Sequence, residues 1–189
     1  MISIIFPDKS IKEFDKGVKV IDIAKSISEG LARKVISASF NGETLELDSE
    51  LTKDGSIKLY TWDDKEGKQA FWHSSAHILA QTIKFFYPES KLTIGPSIEN
   101  GFYYDVDFGN DSISEKDFQK IESKFIEFSR NDFKFSMKSI SKDEALDFYK
   151  KEENEYKVEL IEALDDGTIT FCDHSDFSDL CKGCLLYTS

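Results

Sequence analysis

The chain has 189 residues, a formal net charge of −12 and a hydrophobic content of 40%. That length accommodates one medium domain or a small and a larger one, and the composition is that of an ordinary globular protein. The acidic balance argues against a nucleic-acid binder held by bulk electrostatics, although not against one local RNA-gripping surface. No apolar run reaches the roughly 18 residues of a membrane span, and three cysteines gathered near the C-terminus do not make a disulfide framework.

The apolar start, Met1 to Phe6, has no basic leader and no small-residue cleavage site, so it reads as a strand, with the cytoplasm as the default location. Pro7 to Ser10 is a turn and Ile11 to Phe14 a returning strand. Val20, Ile23, Ala24 and Ile27 follow the i, i+3, i+4, i+7 spacing of a helix. Val35 to Phe40 is strand-like, and Asn41-Gly42 predicts a hairpin into Leu45 and Leu47. Asp54-Gly55 turns the chain again before Ile57 and Leu59. Strands wrapping one helix within residues 1–62 predict a small β-grasp module. The polar stretch 63–68 reads as a linker.

A helix is predicted from about Gln69 to Phe86, closed by Pro88. It carries His73 and His77, two of only three histidines in the chain. Residues i and i+4 share a helix face, so both imidazoles point at one spot. The third, His174, lies in a polar and cysteine-bearing cluster from Cys172 to Cys181. A histidine pair on one element with a cysteine delivered from far along the chain suggests a metal site or a hydrolytic site. Further on, Gly101 to Phe108 alternates like a strand. Ser114 with Asp117 forms a capping box ahead of a helix whose Phe118, Ile121, Phe125 and Phe128 mark a core-packing face. Phe133 to Ile140 has strand character, Ser141 with Glu144 opens a helix to about Lys151, Tyr156 to Leu164 is mixed, and Gly167 to Phe171 is strand-like. Cys172 reads as a buried strand residue. The fold class is α+β.

These residues together resemble a known family. Residues 1–62 resemble the TGS module, on the segments Phe6 to Ser10, Val20 to Ala24 and Phe40 to Gly42. The stretch 69–183 resembles the editing domain of the threonyl-tRNA synthetase family, on His73 to His77, Ile94 to Pro96, Asn100 to Asp105, Tyr156-Lys157 and Asp179 to Cys181. The resemblance implies an editing domain with a central antiparallel sheet and packed helices. It implies hydrolysis of mischarged seryl-tRNA(Thr), within a ligase whose aminoacylation core lies C-terminal to this chain. Serine is one methyl smaller than threonine, a difference that yields only about 1–3 kcal/mol of discrimination in one pocket. A second pocket that admits only the smaller ester removes the error.

By the same resemblance, His73 positions or activates the hydrolytic water and His77 is its partner. Lys157 stabilises charge near the ester carbonyl or the RNA terminus, Asp179 and Cys181 form the opposite wall, and Tyr104 lines the pocket. His73, His77 and Cys181 are also the possible zinc ligands, although the threonyl-type domain is expected to work without metal. No cofactor is expected in this region; ATP, magnesium and zinc belong to the absent core, as does the homodimer interface. tRNA(Thr) is the implied partner. One position departs from the family: its Cys-x-x-x-His pattern would place a histidine where this chain has Leu185. From Cys184 the match stops, and residues 184–189 are read as a foreign tail. Two other readings remain: a free-standing deacylase acting in trans, and a non-catalytic RNA-binding module built on TGS.

Overall fold

The computed structural model describes residues 1–131 and 133–181. The suspected tail, with Cys184 and Leu185, lies outside the described residues. The chain divides into two compact units, with the division between Trp72 and His73.

In the first unit, β1 (Ile2–Ile5), β2 (Ile11–Phe14), β3 (Val18–Lys19), α1 (Val20–Ile27), α2 (Glu29–Ala32), β4 (Val35–Phe40), β5 (Glu43–Leu45), β6 (Glu50–Leu51) and β7 (Gly55–Thr61) follow in order. Five of the strands form one sheet in the order β2-β1-β7-β4-β5. β1 and β7 are parallel neighbours and the other pairs are antiparallel. The Asn41-Gly42 hairpin forms as its composition dictates: both residues have positive φ, +52° and +87°, the conformation that a two-residue primed turn requires. Val20, Ile23 and Ala24 of α1 are fully buried against Ile2, Ile4, Ala38, Phe40 and Ile57 of the sheet. This is the β-grasp arrangement of one helix in a curved sheet.

The predicted linker is not a loop. Only the turn before Lys65 is irregular, because α3 runs from Lys65 to Phe86 and already includes Lys65 to Lys68. Asp64 sits just ahead of it and reaches back to accept from the Thr61 amide at 2.9 Å, which closes the turn that leads into the helix.

Among the described residues, those from His73 onward belong to the second unit. After α3 come β8 (Lys91–Leu92), β9 (Ser97–Ile98), β10 (Gly101–Phe102), β11 (Val106–Asp107), α4 (Glu115–Arg130), β12 (Phe135–Ser139), α5 (Lys142–Lys151), α6 (Glu155–Glu162), β13 (Thr170–His174) and β14 (Phe177–Leu180). β12, β13 and β14 form an antiparallel sheet in that order. Phe171, Ile161, Ile169, Ala145 and Tyr149 make a core between it and α5 and α6.

Three expectations shift here. The alternating stretch 101–108 is not one strand: β10 pairs with β9 and β11 with β8, with Tyr103 to Asp105 between them in neither. The strand expected at 167–171 starts at Thr170 and extends into the cysteine cluster, where Ser175 (φ +57°) turns it into β14. The face of α4 is only in part a core face. Ile121 is buried, but Phe118 is 52% exposed. Lys124 instead covers the Phe85 ring at 4.3 Å, so apolar spacing has produced a surface aromatic–lysine layer. Both capping boxes, at Ser114 and Ser141, are present. No helix among the described residues is long and apolar enough to cross a membrane.

Candidate active site

Three elements of the second unit meet at one point. α3 carries His73 and His77 a turn apart, with Nε2 atoms 3.2 Å from each other. His77 is buried at 4% exposure, whereas His73 is partly exposed, so His73 is the imidazole open to an incoming molecule. β14 and the residue after it bring Asp179 and Cys181, which are i and i+2 and so share one face of the strand. The ladder continues through Cys181, whose amide donates to the Thr170 carbonyl at 3.0 Å. Cys181 Sγ stands 3.6 Å from His73 Nε2. α6 brings Lys157, placed by Asn154 at its N-cap. Asn154 accepts from the Lys157 amide at 3.1 Å and donates to the Leu92 carbonyl at 2.8 Å, which ties α6 to β8.

Asp179 is the centre of the polar network. It is 2% exposed. Oδ1 accepts from Lys157 Nζ at 2.7 Å and from the Tyr149 hydroxyl at 3.0 Å; Oδ2 accepts from the Tyr104 hydroxyl at 2.5 Å. Burial pushes its carboxyl up, but the Lys157 charge, His77 and these hydrogen bonds outweigh it and hold it below the ordinary value. Burial first, and then the Asp179 charge, push the Tyr104 and Tyr149 phenols well above theirs, so both remain donors. His77 Nδ1 faces Asp179 Oδ2 at 3.6 Å, just beyond hydrogen-bond reach, and has no other partner among the described residues. A proton on Nδ1 directed at this carboxylate leaves the Nε2 lone pair for the site.

The Cys181 thiol is pulled down strongly, first by a hydrogen bond from Cys172 and, against burial, by His73 and His77. His73, His77 and Cys181 form a set whose donor atoms all lie within 4.8 Å of one another. Tetrahedral zinc, with bonds of about 2.0–2.3 Å, sets neighbouring donor atoms about 3.3–3.6 Å apart. The two separations from His73, 3.2 Å and 3.6 Å, match that spacing, the third is within 4.8 Å, and the Asp179 carboxylate stands behind His77 where an outer partner would. Cobalt(II) added to the chain is expected to give a thiolate-to-metal absorption band, lost in Cys181→Ser. A spectrum with no such band would show that the three residues do not act as ligands.

Every residue expected at the site except position 185, which lies outside the described residues, is brought to this cluster. His174 is not. Its Nδ1 pairs with Gln81 Oε1 at 2.7 Å and its ring stacks on Phe135 at 4.5 Å, which makes it a core histidine. Burial first, then the proximity of His77, hold its imidazole below the ordinary value. Sequence reading missed Tyr149, which bonds Asp179, and Gln81, which holds His174 in the core and not at the site. Neither sits in a motif, and only the burial of a tyrosine on α5 beside a charged strand reveals the first.

The family model described as the TGS domain matches residues 2–61. The chain is 60% identical over 183 residues to the threonine–tRNA ligase of Flavobacterium psychrophilum, covering 97% of this chain and 28% of that protein. It is 49% identical over 184 residues to that of Clostridioides difficile, again 97% of this chain and 29% of the relative. It is 47% identical over 189 residues to that of Bacteroides thetaiotaomicron, 100% of this chain and 29% of the relative. The chain thus spans under a third of the length of these relatives. With a TGS domain at its start and this identity over nearly all of its residues, the chain belongs to the threonine–tRNA ligase family, of which it corresponds to an N-terminal portion.

Proposed function

We propose that the second unit is an editing site that hydrolyses the ester of seryl-tRNA(Thr), within a threonine–tRNA ligase whose aminoacylation chemistry is carried outside this chain. The observation that supports this most is the convergence of partly exposed His73 with buried His77, Cys181 and the Lys157–Asp179 pair, in a chain related to threonine–tRNA ligases.

Water attacks the seryl carbonyl carbon, and His73 takes its proton as the C–O bond forms. The carbonyl oxygen gains the negative charge. The acyl–oxygen bond to the terminal ribose then breaks and the departing hydroxyl recovers a proton from His73, leaving serine and intact tRNA. His77 orients His73 through the 3.2 Å contact. Lys157 is 3% exposed and bonded to Asp179, so it acts through its field and by neutralising Asp179, not by reaching into solvent. Were zinc bound by His73, His77 and Cys181, it would lower the pKa of a bound water. tRNA(Thr) is the partner this reading requires, and cytoplasmic protein synthesis its setting.

The full chain mixed with seryl-tRNA(Thr) and threonyl-tRNA(Thr) is expected to release serine and spare threonine. His73→Ala should slow that release by about 10²–10⁴-fold. Equal hydrolysis of both esters, or a rate indifferent to His73, would remove the reading.

A further inference from the structure

Tyr149 has no part in the reaction just described, yet its hydroxyl makes two bonds at the centre of the site. It donates to Asp179 Oδ1 at 3.0 Å and accepts from the Leu180 amide at 2.8 Å. Leu180 separates Asp179 from Cys181, so one oxygen grips the strand between the two site residues. The amide it takes is one the sheet leaves over. β14 is the edge strand in the order β12-β13-β14, and the Cys181 amide points toward β13, to the Thr170 carbonyl. The Leu180 amide points the other way, where no strand follows among the described residues. There it meets the Tyr149 hydroxyl and its own Asp179 Oδ1, the latter at 2.8 Å.

The tyrosine itself is held. It is 4% exposed, with the Phe148 ring at 4.9 Å and the Phe171 ring at 5.5 Å. Phe171 lies on β13 directly opposite Leu180. The ring is therefore anchored in the core beneath the same strand pair whose edge the hydroxyl holds. On the other side of the carboxylate, Lys157 and Tyr104 fix the Asp179 oxygens, and His77 Nδ1 waits 3.6 Å from one of them.

We propose that Tyr149 is a positioning residue, which sets where β14 delivers Asp179 and Cys181 to His73 and His77. This rests on the hydrolytic reading for its kinetic consequence, but not for its structural one. A shift of the strand by an ångström would carry the Cys181 sulfur and the carboxylate behind His77 away from the imidazoles together. A tyrosine that only filled the core would be replaced by phenylalanine with no consequence at the histidines.

The test compares the full chain with its Tyr149→Phe variant, which keeps the ring and removes the oxygen. The kcat for seryl-tRNA(Thr) hydrolysis is expected to fall about 10- to 100-fold, with KM changed less than about twofold. The ring ¹⁵N signals of His73 and His77 should move, and the Leu180 amide should exchange faster. Unchanged kcat and unchanged histidine signals in a folded variant would overturn the inference. If the wild-type chain leaves the seryl ester intact, the hydrolytic reading falls and the histidine signals alone decide the positioning. If the variant does not fold, the Tyr149 hydroxyl proton of the wild type decides: a slowly exchanging hydroxyl with a cross-peak to the Leu180 amide upholds the bond, and the absence of that cross-peak overturns it.

Discussion

Replacing Lys157 by methionine is expected to cost the second unit about 3–5 kcal/mol of stability, because it strands a buried carboxylate without its counter-ion. Lys157 and Asp179 are 3% and 2% exposed, and 2.7 Å apart. Methionine matches the length of the lysine stem, so packing is largely kept and the loss reports on charge. The pH dependence carries the sign. In the native chain burial alone would raise the Asp179 carboxyl, but Lys157, His77 and the hydrogen bonds hold it below the ordinary carboxylate value. Its contribution is therefore present above the unfolded value and is lost only as pH falls through the lower folded value. Without Lys157, burial governs the group and its folded value rises. The acid-unfolding limb of the variant should move to higher pH. Urea melts of the second unit's transition at a series of pH values would show both effects. Lys157→Met combined with Asp179→Asn should recover much of the loss, since no charge then remains buried. A single variant within about 1 kcal/mol of wild type, the range of exposed pairs, would mean that the pair is solvated in solution.

Part of the site is legible in the sequence itself. His73 and His77 are four apart on a helix, and Asp179 and Cys181 are two apart on a strand. The first pair follows from local periodicity; the second comes only from the family resemblance, because the sequence shows no strand beyond Phe171 and β14 is seen only in the fold. Local chemistry also sufficed for Asn41-Gly42, for α1 and for both capping boxes, where the deciding contacts lie within a few residues. The misses have a common cause. Residues 101–108 alternate, but the two ends pair with different strands, which no window of sequence reveals. Lys65 to Lys68 are polar and contain a glycine, yet they form the first turn of α3, whose apolar spacing begins only further on. Phe118 has core spacing and lies exposed, because burial depends on what other elements bring to it. Tyr149 sits thirty residues from the carboxylate it bonds, in a segment whose sequence shows only an amphipathic helix.

Gly95→Ala is expected to disable the site without touching any polar group in it. Gly95 belongs to the Ile94 to Pro96 segment between β8 and β9, and it lies flat against the Tyr104 ring. A Cβ built there would stand 2.5 Å from Tyr104 Cε2 and closer still to Cδ2. The two backbones cannot part easily, since Thr93 donates to the Asp105 carbonyl at 3.0 Å and Asp105 donates to the Ile94 carbonyl at 2.9 Å. The ring must therefore swing, and its hydroxyl then leaves Asp179 Oδ2. Overpacking of this kind costs about 1–3 kcal/mol, and misplacing a site group by an ångström costs up to about 100-fold in rate. The cause can be separated from general damage by a double-mutant cycle. Tyr104→Ala removes the ring that the methyl strikes, so on that background Gly95→Ala should change stability and hydrolysis little, and the two effects should be strongly non-additive. Simple additivity would mean that the alanine acts through the backbone of the segment and not through the tyrosine, and the close approach of Gly95 to Tyr104 would then not be what orients the phenol toward Asp179.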